Sequence, residues 1–387
     1  MKFPPLAVFD TTLLFGLGLA IVVSTQACAA TIDAPHLDSK AYVLMDYDSG
    51  QILTEFNAEQ ALPPASLTKM MTSYIVEQSL KSGRLKPTDQ VHVSLNAWCH
   101  GSSTESCMYL PLNSQASVMD LLRGIIVQSG NDASKAIAEH LAGSEAAFAQ
   151  MMNGQAKRLG MVQTHFANPT GLPATDHRAS AHDLALLARA IIRDSAAYYP
   201  IYAEREFKYN GIKQGNRNAL LYTDPTVDGL KTGHTREAGY CLAASARRNG
   251  VHLISVLMGA GSMQGRADQT RTLFNWGFNA FEKINLVKAG MPLATAAVES
   301  GKVDTVQAGL PNDWAVVILR GQAEHVRMSV QIAPNLSAPI TKGATLGKVI
   351  ATLNGKPYAE QPLIAMTSIE RAGIIKRTWQ QLRKLFK

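Results

Sequence analysis

Three short motifs bring together residue types that can carry out acyl transfer: Ser66-Leu67-Thr68-Lys69, Ser129-Gly130-Asn131 and Lys231-Thr232-Gly233. A serine hydroxyl is a poor nucleophile at neutral pH and needs a base within reach. A lysine desolvated among apolar neighbours can serve, because desolvation disfavours its charged form. On a helix the i and i+3 side chains share a face, so Lys69 can reach the Ser66 hydroxyl. The same serine, following Pro63 and Pro64, also suits a helix cap. Roughly one S-x-x-K arises by chance in a chain of this length. Ser129 and Asn131 fall in a break between helical patterns, where a loop either points a hydroxyl and an amide into a cleft or caps a helix. Lys231-Thr232-Gly233 sits on a strand edge. There, glycine admits a close backbone approach and lysine offers charge to an anion, or the strand simply ends.

The elements that must position these residues follow from periodicity. AYVLMDY, DSG and QILTEF predict a β-hairpin over residues 41–56 with its turn on Asp48, Ser49 and Gly50. A helix is expected from Ser66 to Leu80, and VMDLLRGIIVQ has helical spacing up to Ser129. Further helices are expected over Ala133–Ala142, Glu145–Leu159 and Ala181–Arg193, the last capped by Ser180. Gly229–Ala246 and Val251–Ala260 read as β runs joined at Asn249-Gly250, and Arg266–Glu282 reads as a helix. From Asn285 to about Met366 the pattern changes to short strands punctuated by Gly and Pro. The fold class expected is mixed α/β: an antiparallel sheet with a helical cluster, its N-terminal hairpin paired with strands near residue 240, followed by a small all-β domain.

A chain of 387 residues with 46% hydrophobic content can bury a large core and favours two domains. Leu13–Val23 is an apolar run preceded by Lys2 and followed by Ala27, Cys28, Ala29 and Ala30, which reads as a secretory signal peptide over residues 1–30. An uncleaved anchor is the alternative. A lipobox ending at Cys28 fits less well, because Thr25 stands where leucine is usual. Cys99 and Cys107 bracket a polar Gly/Ser loop, either as a small disulfide ring in an oxidising compartment or as two free thiols. Cys241 lies in an alternating apolar run and reads as an inert core thiol. No C-x-x-C or H-E-x-x-H occurs and the ten histidines show no ligand spacing, so no metal is expected. In RAGIIKRTWQQLRKLFK, six basic residues and no acid accompany an apolar face. Such a segment suits an in-plane anchor on an anionic membrane, or a terminal helix packed on its own domain. The net charge of +7 alone would also suit nucleic-acid binding. Export and the lack of an aromatic-basic motif argue against it.

S-x-x-K, S-x-N and K-T-G in this order match the signature of penicillin-binding proteins and class A β-lactamases. With SGNDAS, VDGLKTGHT, AGY, and LISVLMGA followed by GR, the chain resembles the D-alanyl-D-alanine carboxypeptidases. These are low-molecular-mass penicillin-binding proteins with a C-terminal β domain and an amphipathic anchor, and the likeness covers nearly the whole mature chain. It implies a β-lactamase/transpeptidase-like catalytic domain over 31–283, a β-sandwich domain over 284–366 and an amphipathic anchor helix over 367–387. It further implies that Ser66 attacks the D-Ala-D-Ala bond, Lys69 takes its proton and Ser129 relays a proton to the leaving amine. Asn131 would hold the stem peptide and Lys231 would polarise the Ser129 neighbourhood. The Ser66 and His234 N–H groups would form an oxyanion hole, while Thr232 and Arg266 would bind the terminal carboxylate. The expected partners are peptidoglycan pentapeptide stems, β-lactams as covalent inhibitors and the periplasmic face of the inner membrane, with no cofactor. No E-x-x-L-N segment marks a dedicated β-lactamase. A D,D-endopeptidase or an idle cell-wall scaffold are the alternatives.

Overall fold

The computed structural model describes residues 33–99 and 105–374. The expected hairpin forms as β1 (Ala41–Asp46) and β2 (Ile52–Phe56), closed by Asp46 Oδ2, which accepts from the Ser49 amide at 2.8 Å and its hydroxyl at 2.6 Å. A 3-10 turn at Ala65–Thr68 leads into α1 (Lys69–Lys81), followed by a short pair, β3 (Gln90–His92) and β4 (Gln115–Ser117). Next come α2 (Val118–Arg123), α3 (Asn131–Ala142), α4 (Glu145–Arg158) and α5 (Ala181–Asp194). Ser180 caps α5 as expected, its hydroxyl accepting from the Asp183 amide at 3.1 Å. A second short pair, β5 (Glu206–Tyr209) and β6 (Ile212–Gly215), precedes α6 (Leu220–Thr223). The long strands β7 (Val227–Thr235), β8 (Gly239–Arg248) and β9 (Val251–Ala260) then run into α7 (Met263–Ala280).

The main sheet has the order β2-β1-β9-β8-β7, every pair antiparallel. Two sequence expectations change here. The Gly229–Ala246 run is two strands, turned at Arg236–Ala238, and the hairpin's direct partner is β9, not a strand near residue 240. Strand β1 is buried along its whole length because helices cover both faces of the sheet. Ala41, Val43 and Met45 face the core shared with α1 and α5, while Tyr42 and Leu44 face the core shared with Phe274 and Phe278 of α7. Each such side chain contributes roughly 1.5–3 kcal/mol by leaving water.

Apart from a 3-10 turn at Ala323–His325, the regular structure of the rest of the described chain is β. Strands β10 (Phe281–Val287), β11 (Pro292–Ala297), β12 (Thr305–Gly309), β13 (Trp314–Leu319), β14 (Val326–Ile332), β15 (Thr345–Leu353) and β16 (Lys356–Ala365) form a β10-β13 pair and a sheet of order β11-β12-β16-β15-β14. Phe281 and Val317 join the α7 core, and Arg320 donates to the carbonyls of Phe278 and Phe281 at 3.2 and 3.1 Å, closing the C-terminus of α7. The expected anchor helix does not start at 367. Ile369 pairs with Ile340 and Arg371 with Gly301, and the Ala372 amide donates to Ser300, so these backbone groups are bound to the β domain. The 1–30 signal segment and residues 375–387 lie outside the described residues. No helix among the described residues is long and apolar enough to cross a membrane.

Candidate active site

Ser66 lies inside the 3-10 turn, not at a helix N-cap, and no side chain caps that turn. The turn is forced by its surroundings. Ala65 adopts φ +47°, and Gly171, itself at φ +81°, packs so closely that a Cβ there would lie 1.9 Å from the Ala65 carbonyl oxygen. Lys69 opens α1 and is wholly buried. Its Nζ lies 3.1 Å from Ser66 Oγ, 2.7 Å from Asn131 Oδ1 and 2.5 Å from the Thr170 carbonyl oxygen. Burial first, and then the Arg217 charge, lowers its pKa to about 7. A neutral amine has two hydrogens and one lone pair. With Asn131 and Thr170 accepting both hydrogens, the lone pair is left to accept from the Ser66 hydroxyl.

The second motif is set by an irregular helix end. Helix α2 passes into a π turn at Gly124–Gln128 that stops at Ser129, φ +62°, with Ser129 and Asn131 both buried. The end of the loop that the Cys99–Cys107 disulfide closes, with the residues just after it, fixes this stretch. Ser106 accepts from the Asn131 amide at 2.7 Å, and Glu105 Oε2 accepts from Asn131 Nδ2 at 3.1 Å. With Oδ1 held by Lys69, both ends of that side-chain amide are engaged. Asp132 accepts from the Met108 and Leu110 amides at 2.9 and 3.0 Å, and a Cβ on Gly130 would lie 2.8 Å from its Oδ1.

Strand β7 supplies the opposite wall. Lys231 and Thr232 are buried, and Lys231 Nζ donates to the Thr232 carbonyl at 3.0 Å. Burial, and then the charges of Lys69, Arg217 and Arg266, hold the Lys231 pKa well below the usual lysine range. A Cβ on Gly233 would lie 3.0 Å from the Pro64 oxygen and 3.1 Å from the Ser66 amide nitrogen, so glycine lets the strand approach the serine turn. Arg266, buried in α7, donates to the Gly233 carbonyl at 3.1 Å, and its guanidinium lies 5.7 Å from the Tyr240 ring. His234 is exposed and stacks on Tyr240 at 4.0 Å.

The structure thus joins Ser66, Lys69 and Asn131 by direct contact, sets Ser129 beside Asn131, and gathers Lys231, Thr232, His234 and Arg266 on one wall. Sequence reasoning missed Glu105, Asp132, Arg217 and the Thr170 carbonyl. It also missed His177, which supports the serine turn. His177 Nδ1 accepts from the Ala167 amide at 3.0 Å, so Nε2 carries the hydrogen toward Thr68 Oγ1, 2.7 Å away. Burial, ahead of the charges of His165 and Lys69, lowers its pKa to about 4 and keeps the ring neutral. Cys241 is buried and its thiol is pushed up to about 11, as an inert core thiol should be. The cleft therefore pairs a low-pKa amine and a hydroxyl with a concentration of cations, which suits acyl transfer from a substrate carrying a carboxylate.

Comparison with known proteins agrees with this chemistry. The family model described as D-alanyl-D-alanine carboxypeptidase matches residues 28–262, and that of the penicillin-binding protein 5 C-terminal domain matches residues 281–371. The chain is 42% identical over 358 residues to D-alanyl-D-alanine carboxypeptidase DacC of Escherichia coli strain K12, covering 91% of this chain and 90% of that one. Its structure is similar to penicillin binding protein 5 from Haemophilus influenzae, with a TM-score of 0.82 and 42% identity, covering 88% of this chain and all of that one. It is also similar to penicillin-binding protein D2 from Listeria monocytogenes in its ampicillin-bound form, with a TM-score of 0.58 and 30% identity, covering 64% of this chain and all of that one. The chain belongs to the D-alanyl-D-alanine carboxypeptidase family of serine peptidases.

Proposed function

We propose that the chain removes the terminal D-alanine of peptidoglycan pentapeptide stems through an acyl-enzyme on Ser66. The observation that carries this is Lys69: buried, with its pKa lowered to about 7, and with its two other contacts occupied by acceptors. Neutral Lys69 accepts the Ser66 proton as Oγ attacks the penultimate carbonyl carbon. The Ser66 and His234 amides receive the developing oxyanion, where fixed donors are worth a few kcal/mol each. Ser129 relays the proton taken up by Lys69 to the departing D-alanine amine, leaving both groups as they began, while Asn131 and Lys231 hold stem and hydroxyl. Thr232 and Arg266, in a cleft also bordered by Arg217, bind the terminal carboxylate. Water then releases the shortened stem.

A β-lactam would acylate the same serine but keep its leaving amine tethered. The ampicillin-bound Listeria relative supports this reading. Residues 1–30 act as an export signal and the basic C-terminal segment as a peripheral membrane anchor. Deleting residues 371–387 moves the protein to the soluble periplasmic fraction if the anchor assignment holds, and unchanged membrane association would refute it.

The function is tested by release of free D-alanine from a muramyl pentapeptide. The mature protein releases it, and Ser66→Ala, still folded, does not. Cleavage of cross-linked dimers in place of pentapeptide would replace this reading with the endopeptidase, and inactivity on both would leave the scaffold.

A further inference from the structure

We propose that Glu59, His182 and Asp183 form a binding site for one divalent cation of the zinc class, away from the catalytic cleft. No metal was expected from the residue spacing alone. His182 and Asp183 are neighbours on the first turn of α5, and the fold brings Glu59, from the segment after β2, to them. His182 Nδ1 lies 3.1 Å from Glu59 Oε1 and 4.0 Å from Asp183 Oδ1, and the three ligand atoms all lie within 4.8 Å of one another. Zinc bound at about 2.0–2.2 Å to nitrogen and oxygen sets its ligands roughly 3–4 Å apart, which the two separations from His182 match, and a small side-chain shift on exposed Glu59 would close the third.

The independent observation is Asp183. Its side chain is fully buried, yet Oδ1, the oxygen facing His182, has no hydrogen-bond partner. A buried carboxylate oxygen without a donor is costly, and a cation between it and His182 would satisfy it. The other oxygen is held by the Gln163 amide at 2.8 Å and the Thr164 hydroxyl at 2.7 Å, which fixes the carboxylate's orientation. The two segments are also tied by backbone. Leu62 and Ala179 exchange hydrogen bonds at 3.0 and 2.9 Å, and the His182 amide donates to the Ala58 carbonyl at 3.0 Å. Ligand positions are therefore set by the fold. One imidazole and two carboxylates suit zinc better than calcium, which takes six to eight oxygens. Glu59 is on the surface and His182 partly so, leaving room for a water as fourth ligand. The bound cation would clamp the chain leading to Ser66 against the start of α5, supporting the turn without entering the reaction.

The test is calorimetric titration of the chelator-treated mature protein with zinc chloride, alongside a thermal scan. One equivalent binds, the unfolding temperature rises with zinc, and calcium chloride gives neither effect. His182→Ala and Glu59→Gln each weaken zinc binding at least about tenfold, the scale of losing a ligand or its orienting partner. Asp183→Asn alters contacts that hold the chain together, so these two variants carry the test, with penicillin labelling as the check that each is folded. No zinc binding by the wild type, or binding that both variants leave unchanged, would overturn the assignment.

Discussion

Between Ala41 and Ala280 the protein buries Lys69, Glu77, Asp132, Lys231 and Arg266, whereas from Phe281 onward the buried side chains among the described residues are all apolar. Burying an ionisable group destabilises a fold unless partners compensate, so the β domain is built from the cheaper material. The catalytic half tolerates the cost because a shifted pKa is what its chemistry needs. Lys69 would be a fully charged, inert ammonium at neutral pH were it exposed. The difference separates a region shaped by reactivity from one shaped by stability.

Three variants probe that contrast. Lys69→Met removes the proposed base and should lower the rate of penicillin acylation about a thousandfold or more, measured by stopped-flow labelling. Leu363→Ala, in the apolar core of the β domain, costs about 2–5 kcal/mol of stability by denaturant unfolding. It leaves the acylation rate of the folded protein unchanged; a parallel loss of acylation would mean the halves are not separable in this way. Glu77→Gln is subtler. Burial raises the Glu77 pKa from 4.5 to about 7, and its Oε2 lacks a partner while Oε1 accepts from the Tyr202 hydroxyl at 2.8 Å. Between about pH 4.5 and 7 the folded state holds a proton that the unfolded state has lost, so stability falls as pH rises through that window, by up to roughly 3 kcal/mol. The glutamine variant removes that decline. Equal slopes in the two proteins would show that Glu77 does not titrate this way.

The sequence showed the framework more clearly than the wiring. The hairpin was legible because Asp48, Ser49 and Gly50 interrupt two apolar runs, and α5 because Ser180 precedes a strong helical period. The three motifs were legible because each carries reactive side chains. Glu105 was not, since it lies in a polar loop without periodicity and meets Asn131 only through the fold. The Thr170 carbonyl contributes a backbone atom, which leaves no trace in residue type. Ser66 read as the start of a helix because proline and serine favour caps. The close packing of Gly171 on Ala65, a contact between distant residues, makes that stretch a 3-10 turn. The split between β7 and β8 was hidden because Thr235–Ala238 closes a turn inside a run that otherwise reads as continuous strand, with the Thr235 hydroxyl accepting from the Ala238 amide at 3.0 Å.

On the proposed mechanism, burial makes Lys69 the base for Ser66. The direct test is the pH dependence of the penicillin acylation rate under single-turnover conditions, between about pH 5 and 9. Because the lowered pKa puts the neutral amine above about pH 7, the rate should rise through a single limb near pH 7 and then level off. A rate that is flat across that range, or that falls as pH rises through 7, would contradict it.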